Sequence, residues 1–108
     1  MSSPAISEVY WKGIEDINNL EGREMAAFMT LMSSIFRTYE TFFFEAQEGR
    51  FESQMYDGWM SQLKDLLVLK GIQQYWAMRG HHFSNEFVEH INKMSAETAA
   101  KPLYPQDA

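Results

Sequence analysis

Between Arg23 and Glu48 the chain reads REMAAFMTLMSSIFRTYETFFFEAQE. Apolar side chains recur at Met25, Phe28, Met29, Met32, Ile35, Phe36, Tyr39, Phe43 and Ala46. This three-and-four spacing is that of an amphipathic helix, sustained for about seven turns at ~3.6 residues per turn. No proline interrupts it, and Gly49 stands just beyond as a C-terminal stop. The stretch predicts a long central helix over about 23–48, on which the shorter segments bury their apolar faces. Arg23, Ser34, Thr38, Thr41 and Glu45 fall on its solvated side. Phe42, Phe43 and Phe44 cannot all face one partner, because consecutive helical residues turn by ~100°. Phe44 and Glu40 therefore lie along the edge of the apolar face.

Outward from this helix, Ser3-Pro4 reads as a helix start, Ser capping and Pro at the first helical position. Ile6, Val9, Tyr10, Ile14 and Ile17 then share one face, with Trp11 outside it and Gly13 a point of close approach. Asn18, Asn19 and Gly22 form the turn into the central helix. After Gly49-Arg50 a third helix runs from about Glu52 to Leu69, with Met55, Tyr56, Trp59, Met60, Leu63, Leu66 and Leu67 on its apolar face. Gly58 is a second close-approach point. Gly71 breaks the pattern before a short helix, about Ile72 to Arg79, anchored by Tyr75 and Trp76. Gly80-His81-His82-Phe83 is a loop, and Ser84 caps a last helix carrying Phe87, Val88 and Ile91. The expected fold is all-α, a bundle-like domain of four or five helices around a long central one. The first three are antiparallel because their links are short, and the two C-terminal helices close one end. Residues 1–94 make a single helical domain, and 95–108, with two prolines and no apolar period, a flexible C-terminal tail.

Composition narrows the chemistry. The 108 residues carry 9 Lys and Arg against 15 Asp and Glu, a net charge of −6, and no basic cluster. A nucleic-acid partner is therefore not expected, since phosphate backbones repel such a surface. There is no cysteine, hence no disulfide framework, thiolate metal site or cysteine nucleophile. No run approaches the ~20 apolar residues of a membrane helix, so the chain is not expected to insert directly. Its start lacks the basic end and apolar stretch of a signal peptide. A cytoplasmic protein fits this composition.

The landmarks Trp11 and Gly13, Leu20 with Arg23-Glu24, Phe36-Arg37-Thr38-Tyr39-Glu40, Gln47-Glu48-Gly49, Gly58-Trp59, Gly71-Ile72, Trp76 and His82-Phe83-Ser84 come in a familiar order. Over about Trp11 to Ile91 the chain resembles the soluble helical region of uncharacterised bacterial proteins, many with membrane helices ahead of it. The resemblance implies a bacterial helical domain facing the cytoplasm, tethered in longer relatives to the inner membrane, and carries no activity. The chain departs from that pattern in lacking the membrane segment.

Catalytic signatures are missing. Ser33, Ser34, Ser53 and Ser61 lie within helical patterns with no histidine at a readable spacing, and the six glycines are scattered singly rather than gathered in a phosphate loop. Glu40, Glu45, Glu48 and Glu52 gather near the end of the central helix and read as a solvated face. Glu40 is the exception, since beside Tyr39 and Phe44 it would need Arg37 or Arg79 as a partner. Glu86 and His90, four apart on a helix, could face one metal with His81 and His82. No Glu stands three before a His, as a di-iron bundle requires, so the plain reading is capping histidines and no cofactor. No enzyme is expected.

Three functions follow, in order of expectation. The first is a non-catalytic helical interaction or oligomerisation module, a homodimer using the off-stripe rings Trp11, Phe42 and Phe44 as its interface. The second is a small-ligand or sensor domain whose cleft is lined by Tyr39, Glu40, Trp59, Trp76 and Arg79. The third is a metal-dependent enzyme using His81, His82, Glu86 and His90.

Overall fold

In a computed structural model, residues 5–97 are described, and they form five α-helices and two single 3-10 turns. The helices are α1 (Ile6–Glu15), α2 (Arg23–Gln47), α3 (Ser53–Leu66), α4 (Lys70–Arg79) and α5 (Asn85–Glu97); the turns cover 17–19 and 80–82. The expected all-α architecture around a long central helix is what the molecule has. Among the described residues no helix is long and apolar enough to cross a membrane.

The central helix α2 begins and ends where glycine allows. Gly22 precedes it at φ +48°, and Gly49 follows it at φ +76°, a conformation that costs a side-chain-bearing residue ~1–2 kcal/mol. At the C-terminus the Arg50 N–H reaches the Glu45 carbonyl at 3.0 Å and the Gly49 N–H reaches Ala46 at 3.1 Å. This pair of bonds is the Schellman stop. Between the two glycines Phe28, Met32, Phe36, Tyr39 and Phe43 form the buried stripe, three or four residues apart, and supply the spine of the core. The other helices close over it with Val9, Ile14, Leu63, Leu67, Ile72, Tyr75, Phe87 and Ile91, each under 4% exposed.

Neighbours along the spine give the helix directions. Lys12 pairs with Glu24 at 2.6 Å, whereas Tyr10 lies beside Ile35, so α1 runs antiparallel to α2. On α3, Trp59 meets Phe42 at 4.8 Å between ring centroids and Leu66 lies near Met32, again antiparallel. Helix α4 runs the other way: Gly71 lies over Gly13 and Phe28 lies beneath that crossing, Ser33 bonds Tyr75 at 2.8 Å, and Arg79 shares a groove with Arg37 and Thr41, so α4 runs parallel to α2. Helix α5 meets α2 towards its C-terminal end, where Phe87 lies 5.7 Å and His90 4.8 Å from Phe43.

Gly71 is the chief correction to the sequence reading. It does not break a helix; it lies in the first turn of α4 and is buried. A Cβ there would sit 1.7 Å from the Gly13 carbonyl oxygen and 2.7 Å from the Ile14 Cα. Gly13 in turn lies under the Phe28 ring, whose nearest atom would be 2.2 Å from an added Cβ. Two glycines therefore let α1 and α4 cross in backbone contact. Polar bonds fasten the same crossing: Asp16 accepts from Lys70 Nζ at 2.7 Å and Gln74 Nε2 at 3.0 Å, and Gln74 Oε1 accepts the Ile17 N–H at 2.9 Å. These bonds hold the Asp16 carboxyl well below the usual carboxylate range, the Lys70 bond most of all. Gly58, in contrast, has nothing within 4 Å of an added Cβ and is no close-approach point among the described residues.

The remaining boundaries move by a few residues. Ser3-Pro4 lies outside the described residues, and α1 is described from Ile6. α5 runs to Glu97, three residues past the expected domain edge, and the rest of the expected tail lies outside the described residues. Ser84 precedes α5, but the bond formed there is from its backbone N–H to Glu40 Oε2, at 2.9 Å.

Candidate functional site

An apolar groove lies between α1 and α3, with α2 as its floor. Tyr10 forms one wall, Trp59, Gln62 and Leu66 the other, and Met32, Ile35 and Tyr39 the base. Its volume is about 340 Å³, at the small end of the ~300–1,000 Å³ typical of ligand pockets. None of its lining residues is charged. One polar pair sits inside: Tyr39 Oη donates to Gln62 Oε1 at 2.8 Å. Burial pushes the Tyr39 phenol up, so it remains a neutral donor at physiological pH.

The rim is apolar and open. Trp59 is 38% exposed and Met55, one turn earlier on α3, is 53% exposed. On α1, Ile6 is 55% and Trp11 52% exposed, with Trp11 edge-on to Tyr10 at 5.9 Å. Exposed apolar side chains on both α1 and α3, two of them within a turn of groove-lining Tyr10 and Trp59, are the kind of patch that marks a contact surface.

The expected cleft residues divide among four environments. Tyr39 and Trp59 meet edge-on at 6.0 Å in the α1–α3 groove. Trp76 stacks on Phe36, lies 5.4 Å from Phe83, and donates its indole N–H to Asn92 Oδ1 at 3.0 Å. Glu40 is tied to Arg37 at 2.7 Å and to the Ser84 N–H at 2.9 Å. Burial raises its carboxyl, but these bonds outweigh that effect and the net shift is downward. Its charge sits at the start of α5, where the helix dipole favours an anion. Arg79 belongs to a separate open groove along the other side of α2, shared with Arg37. One cleft lined by all five is therefore not what the fold builds.

Of the expected interface rings, Trp11 is the most exposed. Phe42 is half-buried in a cluster with Phe51 at 5.1 Å and Trp59 at 4.8 Å. Phe44 is half-buried against Phe43, with centroids 5.1 Å apart. Glu45 and Glu48 both pair with Arg50, a solvated ion network as expected.

The histidines do not converge. His81 and His82 are exposed on the 3-10 turn, while His90 packs on the Phe43 ring at 4.8 Å. Among the described residues no group of three or more His, Cys, Asp or Glu side chains could hold a metal. Sequence reasoning missed Gln62 as part of the groove. Its signal was position, one turn beyond Trp59 on the same edge of α3. Comparison of the chain with protein families, with curated proteins and with solved structures finds no match.

Proposed function

We propose that this protein is a non-catalytic helical interaction module that self-associates through the face formed by α1 and α3. The observation that carries the reading is an uncharged groove of about 340 Å³ beside protruding apolar side chains, Trp59 at 38% and Trp11 at 52% exposure. A hollow flanked by knobs on one surface is self-complementary, which is what a two-fold interface requires. The absence of charge from the lining matters too. A chain of net charge −6 repels its copy, least where the facing surfaces carry no charge. Buried aromatic anchors at the centre of such a patch supply most of the association energy. A cytoplasmic, bacterial setting, as the resemblance over Trp11–Ile91 implies, accommodates this role.

The test is sedimentation velocity from low to several hundred micromolar protein. The expected result is a concentration-dependent dimer that Trp59→Ala and Trp11→Ser each convert to monomer, with unchanged helical circular dichroism. A wild-type chain that stays monomeric throughout that range overturns the proposal.

A further inference from the structure

A second groove runs along α2 beside the end of α4. It is an open trough of about 680 Å³ that shares Thr38 with the apolar groove. Met29 is its one apolar wall residue; hydroxyl side chains, Thr30, Ser33 and Ser34 among them, line the rest with Arg37 and Arg79. No carboxylate lines it, in a chain with 15 acidic residues against 9 basic ones.

The two guanidiniums differ in how they are held. Arg37 donates to Glu40 at 2.7 Å and lies 4.3 Å from the centre of the Phe83 ring. These contacts fix its plane yet leave most of its five N–H donors unspent. Arg79 contacts only the Met78 carbonyl, at 3.4 Å, and among the described residues forms no ion pair. Both guanidiniums line the same trough as Ser33, whose Oγ lies 2.8 Å from Tyr75 Oη.

We propose that this trough binds a phosphate monoester carried by a small polar molecule, with Arg37 and Arg79 gripping the phosphate and the hydroxyls of α2 facing the carrier. A dianionic tetrahedral group has acceptors enough for two guanidinium forks, whereas a single carboxylate satisfies one. The hydroxyl-rich remainder suits a polar body and offers an apolar one nothing to bury against.

The experiment is a two-dimensional NMR titration of the full chain with sodium phosphate and, separately, glycerol 3-phosphate, each matched in ionic strength by sodium chloride. The expected result is saturable shifts of the 30–37 amides and the Arg79 Nε–H, tighter for the ester than for the bare ion. Arg79→Gln should weaken binding roughly tenfold, the loss of one charged hydrogen-bonding partner. Arg79→Lys, which keeps the charge but not the fork, should fall between. Among the described residues Arg79 forms one long hydrogen bond and no ion pair, and an unchanged far-ultraviolet circular dichroism spectrum and Tm confirm that each variant is folded. Shifts that chloride reproduces, or an Arg79→Gln variant that binds as tightly as wild type, overturn the proposal; so does equal response to acetate, which would reveal nonspecific charge attraction. Neither Arg37 nor Arg79 lines the α1–α3 groove, so a chain that fails to dimerise leaves this test unaffected.

Discussion

Gly71→Ala should destabilise the protein severely, although alanine is the better helix former. In α4 the exchange gains ~1 kcal/mol of helix propensity. Against this, the new Cβ lies 1.7 Å from the Gly13 carbonyl oxygen and 2.6 Å from its carbonyl carbon. Ordinary contact begins at 3.4 Å, so the two backbones must separate by about 1.7 Å. The obstacle is main chain, which cannot rotate away as a flexible side chain would. Separation also strains the bonds from Asp16 to Lys70 and Gln74, both 3.0 Å or shorter, and loosens buried Ile14 and Ile72. Overpacking typically costs about 1–3 kcal/mol, occasionally more. A rigid backbone clash belongs at the upper end, leaving a net loss of roughly 2 kcal/mol or more. For a domain of this size that lowers Tm by roughly 8–16 °C.

The control is Gly58→Ala, also inside a helix but with nothing within 4 Å of the new Cβ. It should stabilise by roughly 0.5–1 kcal/mol. Thermal and urea unfolding followed by far-ultraviolet circular dichroism, at protein concentrations low enough to keep the chain monomeric, measures both. A Gly71→Ala protein as stable as wild type would show that α1 and α4 do not cross in backbone contact.

Two further predictions concern acid. The Glu40 carboxyl is lowered from its ordinary 4.5 despite burial, by the Ser84 N–H and Arg37, so its stabilisation is fully present above 4.5 and fades as pH falls through the folded value. Glu40→Gln should cost roughly 1–2 kcal/mol at neutral pH and flatten that acid limb in urea melts at stepped pH. His90 is lowered from its ordinary 6.5 by burial first and the Lys93 charge second, with Glu97 opposing, and its ring faces Phe43. The unfolded chain therefore takes up the proton first, stability declines as pH drops below 6.5, and NMR titration of the His90 ring should give a midpoint below 6.5.

Sequence periodicity located the central helix to within one residue because two local signals agreed, an unbroken apolar stripe and Gly49 at a position requiring positive φ. The glycines at 58 and 71 were misjudged for the converse reason. Locally both carry the same helix penalty, and only the distant partner distinguishes them: Gly13 lies 1.7 Å from the would-be Cβ at Gly71, whereas nothing faces Gly58. The expected five-residue cleft failed on geometry that was already legible. Tyr39 and Glu40 are consecutive on a helix and point ~100° apart, so one faces α3 and the other the start of α5. The bond from Glu40 to Ser84 joins residues 44 apart and leaves no trace in local pattern.

The helix α2 serves two surfaces because of its length. Twenty-five residues span roughly 37 Å, whereas α1 and α4, at ten residues each, cover roughly 15 Å. Short helices on a long one leave gaps, and the residues beside a gap escape the close packing that fixes Phe28, Phe36 and Tyr75, all fully buried. Trp11 can therefore be changed at one gap, and Arg79 at the edge of the other, with less disturbance than Trp59, which packs on Tyr39 and Phe42. Loss of dimerisation or of phosphate binding in those variants would then report on the surfaces themselves. The same changes at Phe36 or Tyr75 would report only that the core had gone.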